Sequence, residues 1–208
     1  MASKLRLNQI QFCLTLSVVS WTAPSPLHAE DWPQWRGMNR DGIWNETGLL
    51  STLPATGLPI LWRAPIGPGW SSPVIVSGRV YVTDVEVKMP ESFERARCFD
   101  EYTGKVLWTH LSPRIYPEAV LKPGQENGPT GTPIVQDGKL YSLNPYADVY
   151  CLDAVTGALI WQRELAKEYQ VQEMTVRGSP LIEGGLLIMT LGGKPDASCV
   201  PRMTLKWR

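Results

Sequence analysis

Histidine is nearly missing from this sequence, with two among 208 residues. His28 falls in the leader-like start, so His110 stands alone in the rest. No Cys-x-x-Cys pair and no His-Glu-x-x-His run accompanies it. Metal-assisted hydrolysis therefore has no ligand set, and a lone His after a strand reads as a strand-end surface residue. Gly-x-Ser-x-Gly is absent too, and with it the exposed serine of a nucleophile elbow. The pair Gly192-Gly193 lacks the strand, loop and helix setting of a phosphate cradle. An excess of either charge is also lacking. Twenty basic and twenty acidic residues cancel, and no basic run stands out. That removes the electrostatic footprint of a nucleic-acid or anionic-membrane binder.

A long apolar run is missing as well. Phe12 to Trp21 is the main apolar stretch of the amino terminus, and it is shorter than the roughly 20 residues that cross a bilayer. Lys4 and Arg6 precede it, and Leu27-His28-Ala29 follows. Charged, apolar and small-residue regions in that order are those of a secretory signal. Residues 1–29 are thus expected to direct export to the periplasm or the extracellular space, with no membrane span in the mature chain. Beyond them remain Cys98, Cys151 and Cys199, no two of them adjacent.

What is present is ordinary globular material, 43% apolar and 19% charged, arranged as a repeat. Three lines align: SSPVIVSGRVYVTD from Ser71, GTPIVQDGKLYSLN from Gly131 and GSPLIEGGLLIMTL from Gly178. Each has Ser-Pro or Thr-Pro followed by Gly78, Gly138 or Gly185, and the prolines lie 60 and then 47 positions apart. A second module follows each line: RCFDEYTGKVLW, YCLDAVTGALIW and the decayed SCVPRMTLKWR. The three cysteines fall at one place in every copy, which favours a small hydrophobe at an equivalent core position over a disulfide. The recurrence of Ser72 and Ser179 is explained in the same way, by strand-start geometry.

Each unit reads as four short strands. In the first copy these are Val74 to Val76, Val80 to Thr83, Ala96 to Phe99 and Lys105 to Thr109. Ser77-Gly78, Asp137-Gly138 and Gly184-Gly185 suit tight hairpins, which need positive φ. Asp100 and Asp153 are placed to accept backbone N–H bonds in the turn before the fourth strand, with Gly104 and Gly157 left-handed. Four antiparallel strands every 40 to 60 residues, with a recurrent Trp, describe an all-β chain of propeller blades. Trp108 and Trp161 are then expected to pack across the junction of neighbouring blades. The long connections, residues 84–96 and 111–130, are expected to be the surface loops where binding would reside.

The motif Asp-x-x-Thr-Gly-x-x-x-Trp, written by Asp100, Thr103, Gly104 and Trp108 and again by Asp153, Thr156, Gly157 and Trp161, resembles the pyrroloquinoline-quinone-like β-propeller repeat. The start DWPQWRGMNRDGIWNETGLL from Asp31, then LPILWRAPIGPGWSSP, NGPTGTPIV and LIWQRELAKEYQ, is similar to exported, uncharacterised propellers of the quinoprotein alcohol dehydrogenase-like superfamily. The resemblance implies an eight-bladed ring in which those Gly and Trp residues dock adjacent blades. It also implies that Leu61-Trp62 is the last strand of an opening blade. The chain then divides into a signal at 1–29, an amino-terminal segment at 30–69, blades at 70–198 and an aberrant tail at 199–208. A third motif copy is missing, with Pro201 where its Asp would stand, so a truncated or frame-shifted, partial ring is expected.

True quinoproteins of this resemblance hold pyrroloquinoline quinone with calcium on the ring axis, with a Trp, a vicinal disulfide, Glu and Asn ligands and a catalytic Asp. Here no cysteines are adjacent, and only Glu126-Asn127, Arg36, Trp70, Arg177 and Lys194 offer themselves. Each has a plain reading in loop solvation or blade packing, and the expectation is no cofactor and no catalytic residue. The leading expectation is a binding or scaffold propeller for a protein or glycan partner. The alternatives are a piece of a quinoprotein dehydrogenase and an envelope protein-assembly scaffold.

Overall fold

The computed structural model describes residues 30–88, 91–118, 121, 128–172, 176–191 and 203–204. The first blade is a four-stranded antiparallel sheet in the order β1 (Val74–Val76), β2 (Arg79–Glu86), β3 (Ser92–Asp100) and β4 (Val106–Tyr116). The second has the same order in β5 (Ile134–Gln136), β6 (Lys139–Leu143), β7 (Asp148–Asp153) and β8 (Leu159–Glu164). A third sheet pairs β9 (Leu181–Glu183) with β10 (Leu186–Ile188), and β10 with β11 (Met203–Thr204). The fold is all-β and is that of a β-propeller, with two whole blades and part of another among the described residues. A short helix, α1 (Leu165–Tyr169), follows β8 and buries Leu165 and Ala166.

Each blade opens on a hairpin whose two turn residues both have positive φ: 50° and 75° at Ser77-Gly78, 49° and 70° at Asp137-Gly138, and 55° and 74° at Gly184-Gly185. That is the turn whose twist matches the strands it joins. The two complete blades also carry a register shift at one repeat position, between Cys98 and Phe99 and between Cys151 and Leu152. Cys98 and Cys151 are fully buried free thiols, packed as core residues of their blades.

Blade faces are stacked. Side chains alternate along a strand, so Val74, Tyr81, Ala96, Cys98 and Trp108 meet Val135, Leu140, Tyr150, Leu152 and Ala154 as one core between the first and second blades. The opposite face of the second blade, with Tyr141, Leu143, Val149 and Cys151, packs on Ile182 and Leu187 of the third sheet. Before β1, Trp32 exchanges backbone hydrogen bonds with Ile75, at 2.7 and 3.0 Å.

Two expectations are corrected. Residues 84–96 are not a long loop, because β2 runs on to Glu86 and β3 begins at Ser92. The charges that suggested a loop instead pair across the strands, Asp84 lying opposite Arg95 in register and binding its guanidinium at 2.6 and 2.8 Å. Similarly, β4 continues through Leu111 to Tyr116, so His110 sits inside a strand and is half-buried, not a strand-end surface residue.

Candidate functional site

The motif residues build two joints of the same form. Asp100 Oδ1 accepts from the Thr103 amide at 2.8 Å, the Thr103 hydroxyl at 2.6 Å and the Tyr102 amide at 3.2 Å. Asp153 repeats this with Thr156 N at 2.7 Å, Thr156 Oγ1 at 2.8 Å and Val155 N at 3.0 Å. The threonine hydroxyl, then the amides, hold both carboxyls below the usual Asp range. The turns put Gly104 at φ 68° and Gly157 at φ 74°, and each glycine lies directly beneath an indole. A Cβ on Gly157 would stand 2.6 Å from Trp108, and one on Gly104 would stand 2.6 Å from Trp62. The indole N–H groups reach onward: Trp108 Nε1 donates to the Ala154 carbonyl at 3.0 Å and Trp62 Nε1 to the Glu101 carbonyl at 2.6 Å. Trp108 of one repeat thus rests on the turn of the next. Trp62 rests in the same way on the first blade and stacks on Phe99 with centroids 6.4 Å apart. Residues 58–66 around Trp62 carry no strand assignment. Trp161 packs against Tyr141 on the face turned to the third sheet.

Away from Trp108, the space between the first two blades turns polar. Among the described residues the buried carboxylates are Asp84, Glu94 and Asp148, at 1%, 3% and 0% exposure. Asp84 lies on the other face of the first blade, off the alternation of Tyr81, Ala96 and Cys98, where it is clamped by Arg95 and accepts from the Gly67 amide at 2.7 Å. Asp148 of β7 is clamped by Arg114 of β4, at 2.5 and 2.9 Å, so this bidentate pair crosses from one blade to the other. Arg114 also lies over the Tyr146 ring, 5.6 Å from its centre. The Tyr150 hydroxyl meets Ser112 Oγ at 2.7 Å, again across the blades.

Glu94 has the Tyr116 hydroxyl for its partner, donating to Oε2 at 2.5 Å, whereas Asp148 accepts a longer bond from the Tyr150 hydroxyl, at 3.4 Å, beside its arginine clamp. Burial pushes the Glu94 pKa up to about 8, and the Tyr116 hydrogen bond lowers it only in part. Glu94 therefore carries its proton at neutral pH. Burial pushes the Tyr116 and Tyr150 hydroxyls up as well. Burial also lowers His110, whose ring stands 6.2 Å from that of Tyr150.

This polar layer did not come forward from sequence, because Glu94, Ser112, Arg114 and Tyr116 lay in segments read as loops. Its signal is the alternation Ser92, Glu94, Ala96, Cys98, four buried residues at period two. The residues weighed as a quinone site do not gather into one. Arg36 donates to the Asp41 carbonyl in its own loop at 2.9 Å. Trp70 and Arg177 are exposed, and Trp70 is tied through its backbone to Pro129. Glu126, Asn127 and Lys194 lie outside the described residues, as do Cys199 and Pro201. Among the described residues no group of three or more His, Cys, Asp or Glu could hold a metal ion. No helix among the described residues is long and apolar enough to cross a membrane.

Comparison with known proteins agrees with the repeat. The chain is 24% identical over 173 residues to the dehydrogenase subunit of the quinone alcohol dehydrogenase of Gluconobacter oxydans (strain 621H), covering 80% of this chain and 22% of that protein. It is 25% identical over 186 residues to the corresponding subunit of Gluconacetobacter polyoxogenes, covering 83% of this chain and 24% of the relative. The chain thus spans about a quarter of the length of these relatives. The solved quinohemoprotein alcohol dehydrogenase of Comamonas testosteroni aligns with a TM-score of 0.44 at 22% identity, over 62% of this chain and 17% of that one. A pyrroloquinoline-quinone-type family model, described as outer membrane protein assembly factor BamB, matches residues 92–196. That match covers half of the chain and both motif copies, so the chain belongs to the pyrroloquinoline-quinone-like repeat β-propeller family.

Proposed function

We propose that this chain is a binding or scaffold module of the cell envelope, exported by residues 1–29 and built of quinone-type repeats that serve architecture and not catalysis. The observation that carries the reading is where the chemically capable groups are engaged. Asp84 and Asp148 are each neutralised by a bidentate arginine, and Glu94 is capped by Tyr116. These groups hold strands and blades to one another. Asp100, Thr103, Gly104, Asp153, Thr156 and Gly157 shape the turns on which Trp62 and Trp108 rest, and these residues with Trp161 are the blade fasteners. In this reading Leu61-Trp62 supplies the outer strand of an opening blade. The family description of an outer-membrane assembly factor supports a protein as the partner of the module.

A second reading has one observation in its favour. Both curated relatives are dehydrogenase subunits of quinone alcohol dehydrogenases, so the chain could be the opening part of such an enzyme, its cofactor residues contributed by other blades. The protein, incubated with pyrroloquinoline quinone and calcium, separates the two. The scaffold reading expects no cofactor absorption band, no dye-linked alcohol oxidation, and crosslinks to envelope proteins in intact cells. A bound quinone with alcohol turnover overturns it.

A further inference from the structure

Ser142 is the residue that the interblade network leaves out. It lies on β6, two positions along from Leu140 of the interblade core, and is 3% exposed. Its Oγ has no hydrogen-bond partner among the protein atoms. Buried hydroxyls in folded proteins are almost always bonded, to protein or to ordered water. The rest of the layer is bonded, which makes this hydroxyl the exception.

Against Ser142 lies a narrow cavity of about 10 Å³, which is about the room that a single water needs. Its walls come from both blades: Glu94, Ala96, His110 and Ser112 from the first, and Ser142, Tyr150 and Leu152 from the second. The polar wall groups match what a buried water requires, two to four partners that between them donate and accept. Ser142 offers a hydroxyl, Ser112 and Tyr150 a hydroxyl pair 2.7 Å apart, and Glu94 a carboxyl. The cavity is too small for phosphate, for a carboxylate ligand or for a hydrated cation. The described residues also group no three acidic or imidazole ligands for a bare divalent ion.

We propose that this cavity is a binding site for one water molecule, held by Ser142 Oγ of the second blade and bridging to Glu94 and Ser112 of the first. It does for the polar end of the interface what Trp108 does for the apolar end, joining two blades through a group that neither completes alone. Ala96 and Leu152 line the cavity with carbon. The proposal is independent of the ligand that the whole protein binds.

The test is a crystal structure of the whole protein in which other buried waters are visible, with oxygen-17 relaxation dispersion to count long-lived internal waters. One peak within hydrogen-bond distance of Ser142 Oγ is expected. In Ser142→Ala that peak is lost and the count falls by one. An empty cavity in the wild type overturns the proposal, as does an unchanged count in the variant. A peak at the metal–oxygen distance of about 2.4 Å overturns it too. If Ser142→Ala fails to fold, the wild-type map decides alone.

Discussion

Replacing Glu94 by Gln tests whether the polar layer between the blades is held by a protonated acid. In the folded chain burial raises the carboxyl from 4.5 to about 8, whereas in the unfolded chain it returns to its ordinary value. A raised acid contributes stability that is fully present below pH 4.5 and is lost as pH climbs through about 8. Inside that window the unfolded chain has released the proton and the folded chain still binds it, so unfolding becomes easier by about 1.4 kcal/mol per pH unit. From pH 5 to pH 8 the loss is on the order of 4 kcal/mol, a large part of a domain's total stability. The groups facing Glu94 are Tyr116 and His110 on β4 and Asp148 and Tyr150 on β7, and the charge of Asp84 acts on it from the other face of β2. His110 works the opposite way. Its lowered value destabilises the fold as pH falls through the range below 6.5, but this contribution is common to both proteins and cancels in their difference. The assay is urea unfolding at half-unit steps from pH 5 to 9. The amide introduced by Glu94→Gln keeps an acceptor for the Tyr116 hydroxyl, so at pH 5 the variant is expected within about 1 kcal/mol of wild type. At pH 9 it is expected to be the more stable by several kcal/mol. Two parallel stability curves would refute the reasoning, because they would mean that Glu94 titrates alike in both states.

The remaining predictions concern the joints and the ion pairs. Gly157 and Gly138 have nearly equal φ, 74° and 70°, but an added Cβ meets Trp108 only at Gly157. Both Ala variants therefore lose about 1–2 kcal/mol from the left-handed backbone, and Gly157→Ala loses roughly 2 kcal/mol more as the indole is displaced. Equal losses by chemical denaturation would deny the joint its energetic role. Arg114→Met leaves Asp148 buried without its cation and is expected to cost roughly 3 kcal/mol, the low end for such a cut because Arg114 is partly exposed. Pairing it with Asp148→Asn should restore most of that loss, and a double variant no better than the single would contradict the pairing. Cys98 and Cys151 are buried, and burial pushes the Cys151 thiol up to about 11, so both are expected to resist thiol reagents until urea unfolds the chain. Rapid labelling of the native protein would count against the core packing.

What the sequence discloses and what it hides follow from the range of the interactions involved. A tight turn is local: Ser77-Gly78 and Asp137-Gly138 need positive φ whatever surrounds them, and Asp100 finds its hydrogen-bond donor within three residues, at Thr103. The fold class and both turn motifs are legible for that reason. The polar layer is not local. Asp148 is explained by Arg114, 34 residues away, and Ser112 by Tyr150, 38 away. Ser112 and Arg114 read as solvated loop residues because the partner of each belongs to the other repeat. The two kinds of interface residue also differ in how they repeat. Trp108 has its counterpart in Trp161 and recurs with the motif, as a joint common to all blades must. At the places that match Glu94 and Arg114 by the spacing of the repeated Cys and Trp, the second repeat has Ala147 and Lys167, a residue without charge and a lysine exposed on α1. A repeated residue therefore reports how any blade meets the next, whereas an unrepeated buried charge identifies which blade sits beside which. In a ring of near-identical units only the second kind fixes the order of assembly, and the Arg114–Asp148 pair across the two blades is of that kind.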